Sequence, residues 1–138
     1  MDEDIKLKMI LPKIPDIELV AIEGMDRMAR HMGIAEDKIS EANVLVTEAV
    51  INAFEHSGDK NPEVHVEFAL SREKLTIFVR DFGTGFKPEE VEEPDIEKKM
   101  GSHHKRGWGL KLMKSMSDDF KVDSDENGTK ITIIKNLH

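Results

Sequence analysis

Glu48, Asn52 and His56 recur at four-residue intervals, so on a helix they share one face. A carboxylate beside an amide oxygen offers a general base and a hard-metal ligand close together, the combination that Mg2+-assisted phosphoryl transfer needs. The same spacing also describes an ordinary solvated helix face. Asp81-Phe82-Gly83-Thr84-Gly85 directly follows a strand-like run. Its glycines permit positive φ and let a flat ligand lie against the backbone, and Asp81 can accept from an exocyclic amine such as that of adenine. A plain turn is the competing reading. Gly107-Trp108-Gly109 stands at a helix start, where free N–H groups and the positive dipole end form an anion seat; one GxG alone is a weak signal. Asn127-Gly128-Thr129 by itself reads only as a hairpin turn.

Two other matches carry no chemistry. Asp81-Phe82-Gly83 spells the metal-binding tripeptide of eukaryotic-type protein kinases, but the His-Arg-Asp loop and strand lysine that must accompany it are missing. Asp123 to Gly128 imitates half of an EF-hand loop, yet its twelfth position is Ile134 where a bidentate Glu is required. No GxxxxGK[ST] phosphate loop occurs.

The elements that must position these groups follow from periodicity. Ile5 to Leu11 alternates as a strand and stops at Pro12. Apolar residues at helical spacing predict one helix from Asp16 to about Met32, ended by Gly33, and a second from Glu36 to His56, closed by Ser57-Gly58. The second helix buries Ile39, Ala42, Leu45/Val46, Ala49/Val50 and Ala53/Phe54, with Glu48, Asn52 and His56 facing away. The period then changes to two: Val64 to Leu70 and Leu75 to Val79 form a hairpin. A long charged loop, Phe86 to Arg106, leads into a helix over Gly107 to Met116, and Phe120 to Asp125 and Thr129 to Lys135 close the chain as a second hairpin. The order β-α-α-β-β-loop-α-β-β implies a single α/β domain, a two-layer sandwich with a mostly antiparallel sheet covered by helices on one face.

Composition narrows the setting. The 138 residues carry a net charge of -8, 35% are charged, and there is no cysteine, which excludes disulfides, thiolate zinc sites and a cysteine nucleophile. No apolar run is long enough to span a membrane and the N-terminus is acidic, so the expectation is a soluble, cytoplasmic protein that does not bind nucleic acid directly. The charge is unevenly spread. Lys87 to Glu97 holds six acids and one base, whereas Lys98 to Arg106 holds four bases, two histidines and no acid.

In this order, Glu48-x3-Asn52, DxGxG, a charged loop running into GxG at a helix start, and NGT in the last hairpin resemble the N, G1, G2 and G3 boxes of the GHKL (Bergerat-fold) ATPases. The resemblance covers Ile39 to the end and is closest to the RsbW-type anti-sigma factor serine-protein kinases, through the short β-α-α lead-in and the form of TEAVINAFEH. It implies ATP and Mg2+ as cofactors. It implies Glu48 as the catalytic base, Asn52 as the Mg2+ ligand, and Asp81 as reader of the adenine amino group. Gly83 and Gly85 would shape the pocket and Thr129 would add a polar contact. Gly107 and Gly109 would give phosphate-binding amides, residues 86–106 would be the lid, and Lys105 and Arg106 would add positive charge there. Arg106 stands where many relatives carry glycine, and Ile51 where many carry a second Asn.

The 35 or so residues before the second helix hold only one strand and one helix, too little for a dimerisation domain bearing its own phosphoacceptor histidine. The expectation is therefore a substrate in trans: a STAS-type antagonist whose Ser or Thr is phosphorylated, with a sigma factor as the sequestered partner and a homodimer as the assembly. A nucleotide-gated binding module without phosphotransfer, and a kinase outside sigma regulation, are the alternatives. Met25, Met28 and Met32 suit either the core or a dimer contact.

Overall fold

A computed structural model of the chain describes residues 4–58, 62–83 and 106–137. The elements are β1 (Ile5–Leu11), α1 (Glu18–His31), α2 (Glu36–His56), β2 (Val64–Leu70), β3 (Lys74–Asp81), α3 (Arg106–Met116), β4 (Asp119–Asp125) and β5 (Gly128–Asn136). They form one sheet in the order β1-β2-β3-β5-β4, with every neighbouring pair antiparallel. This is the expected α/β sandwich. Gly85, Lys105 and nearly all of the 86–106 lid fall outside the described residues.

Alternation assigns the two sheet faces. On β2, Val64, Val66, Phe68 and Leu70 are buried, and on β3 Leu75, Ile77 and Val79 are, while their neighbours are more exposed. The buried set meets the helices. Each fully buried Phe, Leu or Ile there contributes about 1.5–3 kcal/mol, and Phe68, Leu70, Leu75, Ile77, Ile131 and Ile133 form the sheet side of the core. Met25 is fully buried and Met28 and Met32 pack against the same core, so these side chains are core groups.

Helix ends sit where the chain chemistry stops them. Gly33, at φ +74, ends α1: its N–H reaches the Arg30 carbonyl and the Ile34 N–H reaches the Ala29 carbonyl, a Schellman arrangement that a Cβ would strain. Ser57 closes α2 by donating its hydroxyl to the Phe54 carbonyl at 3.0 Å. Alanines at 42, 49 and 53 keep α2 slender where it packs among α1, α3 and the sheet. That central position determines what its polar residues can do.

Candidate functional site

Packing overturns the expectation that Glu48, Asn52 and His56 occupy a face directed away from the core. Asn52 is only 4% exposed, and Glu48 and His56 are half-buried, in a helix that packs against α1, α3 and the sheet. Neither Asn52 Oδ1 nor Nδ2 has a hydrogen-bond partner among the described residues. Leaving a buried polar group unmatched costs about 1–3 kcal/mol, and such groups call for an explanation in what the site binds.

Glu48 meets the start of α3. A Cβ built on Gly109 would lie 3.3 Å from Glu48 Oε2, so glycine at this position lets the carboxylate approach the helix backbone. Gly107 and Gly109 lie inside the first turn of α3, which begins at Arg106, and not ahead of the helix. The anion seat survives this shift, since the first four N–H groups of a helix have no intrahelical acceptor, and this first turn carries no acidic residue.

The other half of the site is built where β3, β5 and β4 end together. Asp81 pairs in register with Thr129, and Thr129 with Ser124 on the edge strand. Asp81 and Thr129 are 1% and 2% exposed. The Gly83 N–H donates to Asp81 Oδ1 at 3.0 Å, and the Thr129 N–H also serves this carboxylate. Burial nevertheless pushes the Asp81 carboxyl above the usual carboxylate range, against the opposing pull of these two N–H groups and of Arg80. The Thr129 and Ser124 hydroxyls are hydrogen-bonded at 2.7 Å.

Close backbone contacts hold this corner. A Cβ on Gly83 would stand 1.7 Å from the His56 carbonyl oxygen, so the chain after β3 is pressed against the end of α2. Gly128, at φ +131, faces the Asp81 carbonyl, 2.2 Å from where its Cβ would be. His56 thus meets the DxG segment through its main chain, a contact with no signature in side-chain type. Ser124 was not a sequence candidate either. Its link to Thr129 follows from the β4–β5 register, which the Asn127-Gly128 turn could have supplied.

The structure therefore brings Glu48 and Gly109 together at the α2–α3 contact, with Asn52 one turn further along α2 and Gly107 in the same first turn of α3, and it gathers Asp81, Gly83 and Thr129 at the strand ends beneath α2. Gly85 and Lys105 lie outside the described residues, and of Arg106 only the backbone is described. An acceptor-lined corner, a carboxylate, an amide oxygen and a helix N-terminus suit, in that order, an aminated flat ring, a proton, a hard cation and an anion.

The family described as the histidine kinase-like ATPase domain matches residues 16–135. Serine-protein kinase RsbW of Bacillus subtilis is 27% identical over 139 residues, covering 96% of this chain and 86% of the relative. Serine-protein kinase RsbW of Listeria monocytogenes is 26% identical over 139 residues, covering 96% and 88%. Among solved structures, the RsbU and RsbW domains of Rv1364c from Mycobacterium tuberculosis align with a TM-score of 0.72 at 17% identity, over 96% of this chain and 32% of that one. The SiaB-SiaC complex from Pseudomonas aeruginosa gives a TM-score of 0.65 at 9% identity, over 93% of this chain and 88% of the other. These two likenesses concern the fold alone. A match that runs from Asp16, just ahead of α1, to Lys135 in β5 makes this chain a member of the histidine kinase-like ATPase domain family.

Proposed function

We propose that the chain is an anti-sigma factor with serine/threonine-protein kinase activity. It binds Mg-ATP, transfers the γ-phosphate to a Ser or Thr hydroxyl of a STAS-type antagonist, and sequesters a sigma factor once the phosphorylated antagonist has left. Similarity to RsbW serine-protein kinases over nearly the whole chain supports this reading, as does the fold shared with a protein solved in the SiaB-SiaC complex. The observation that carries the nucleotide part is the buried Asn52 amide, without a partner among the described residues and one helical turn from Glu48.

In this reading Asp81 accepts from the adenine amino group, with Gly83 and Gly85 giving the ring access to the backbone and Thr129 adding a polar edge. The N–H groups at Gly107 and Gly109 receive phosphate oxygens, and Lys105 and Arg106 add positive charge from the lid. Glu48 takes the proton of the attacking hydroxyl as its oxygen forms a bond to the γ-phosphorus, and the bond from that phosphorus to the ADP oxygen breaks. The Asn52 Oδ1 would hold Mg2+, whose charge offsets that of the phosphates. The protein acts in the cytoplasm as a homodimer; no described helix is long and apolar enough to cross a membrane.

The test is incubation with γ-labelled Mg-ATP and the STAS-type antagonist encoded nearby. Label is expected on the antagonist, and Glu48→Gln should reduce its rate of appearance by about 10^2–10^4-fold while nucleotide still binds. Nucleotide binding with no transfer by the parent protein would replace the kinase with a nucleotide-gated binding switch. Undiminished transfer by Glu48→Gln would remove Glu48 from the role of base.

A further inference from the structure

A lysine is an unusual core residue, and Lys135 on β5 is one. Its side chain is 7% exposed and points with Thr129, Ile131 and Ile133 toward the helices. The ammonium lies 2.8 Å from Glu41 Oε2 on α2 and donates to the Met116 carbonyl at 3.1 Å. Met116 is the last residue of α3, so the cation sits at the negative end of that helix and serves a carbonyl with no intrahelical donor. The same pairing holds the Glu41 carboxyl below its ordinary range.

The two ends of α3 are thus tied to α2 at different points. Gly109, in the first turn, lies against Glu48; Met116, at the other end, is joined through Lys135 to Glu41. Glu41 and Glu48 are about two turns apart on α2, as Gly109 and Met116 are on α3. The helices therefore run antiparallel with matched spacing between their two points of attachment.

We infer that Lys135 is a positioning residue: by clamping the carbonyl end of α3 to Glu41, it sets the register of α3 on α2 and so the seat of the Glu48 carboxylate at the other end. Burying an ammonium is costly even when it is paired, and a well-packed apolar replacement is often neutral or stabilising, so an ion pair here is better accounted for by register than by net stability. The consequence for catalysis rests on the reading of Glu48 as the base; the geometric claim does not.

The chain has no cysteine, so Val44→Cys and Leu112→Cys, on exposed positions of α2 and α3, accept spin labels without further changes. Interlabel distances are measured on the full-length protein without nucleotide, in the parent, Lys135→Met, Lys135→Arg and Glu41→Gln backgrounds. The expected result is a broadened or shifted distribution for Lys135→Met and Glu41→Gln, and a parent-like one for Lys135→Arg, with the melting temperature of Lys135→Met close to the parent's. In phosphotransfer, kcat of Lys135→Met should fall about tenfold with KM for ATP little changed, and Lys135→Arg should recover most of the rate. Parent-like distances in both Lys135→Met and Glu41→Gln would overturn the inference. Should Lys135→Met not fold, the Glu41→Gln distribution decides alone. Because the distances need no turnover, failure of the kinase reading leaves this result intact.

Discussion

The two halves of the site solve opposite problems. At the strand ends, Asp81 is served by two backbone N–H groups, Thr129 by Ser124, and Gly83 and Gly128 are pressed against neighbouring main chain. On α2 and at the start of α3, the Asn52 amide is buried with no partner among the described residues, and the first-turn N–H groups of α3 have no acceptor within their own helix. In the first half, Asp81, Thr129 and Ser124 all have partners among the described residues. The other retains unmet polarity that a cation and an anion would satisfy together. Under the proposed function, the first half would read a flat base and the second would seat phosphate and its cation.

The sharpest way to break the contrast is to overfill the closed half. Gly83→Ala drives a methyl into the His56 carbonyl, a main-chain atom that cannot swing aside, and should destabilise the fold by about 3 kcal/mol or more in denaturant titration. A loss under about 1 kcal/mol would mean that this corner yields and is not preorganised. The unsatisfied half should respond in the opposite sense. Asn52→Leu removes an orphaned amide, and is expected to raise stability by about 1 kcal/mol while abolishing Mg2+-dependent nucleotide binding in calorimetry. Retained Mg2+-dependent binding would remove Asn52 as the ligand.

The smallest effect distinguishes the halves by pH. Asp81 has a raised pKa, so the folded state holds its proton more tightly than the unfolded state does, and charging Asp81 opposes folding as pH rises. Asp81→Asn should therefore be more stable than the parent near neutral pH. The advantage should shrink as pH falls through the raised folded-state pKa, where the parent carboxyl becomes neutral. A thermal-melting difference that is constant over this range, or that grows in acid, would contradict burial as the dominant influence on Asp81. Adenine binding should weaken throughout, since the replacement amide is a poorer acceptor.

Much of the framework was legible in the chain because its causes are local. The α2 boundaries Glu36 and His56 follow from an apolar stripe closed by Ser57-Gly58, the end of α1 from Gly33, and both hairpins from strict alternation broken by turn residues. The candidate residues were legible as an ordered set, since helix start, glycine-bearing strand end and closing hairpin each need particular residue types. The burial of Asn52 was not. Periodicity assigned it to a polar face, because periodicity sees one helix at a time and α2 is packed by α1, α3 and the sheet together. Lys135 was invisible for the same reason: in a strand pattern it reads as a charged end residue, and only its meeting with Glu41 and Met116 makes it a buried clamp.

The sequence by itself determined which segments are helix and strand, where they stop, and which polar types stand at the stops, because dihedral preference, side-chain period and capping act over a few residues. Tertiary structure alone decided that β5 enters between β3 and β4, that the His56 carbonyl closes on Gly83, and that Glu48 lies against the start of α3. These depend on which surfaces of distant segments can be packed together without voids or clashes, a property of pairs of elements that no single stretch of chain encodes.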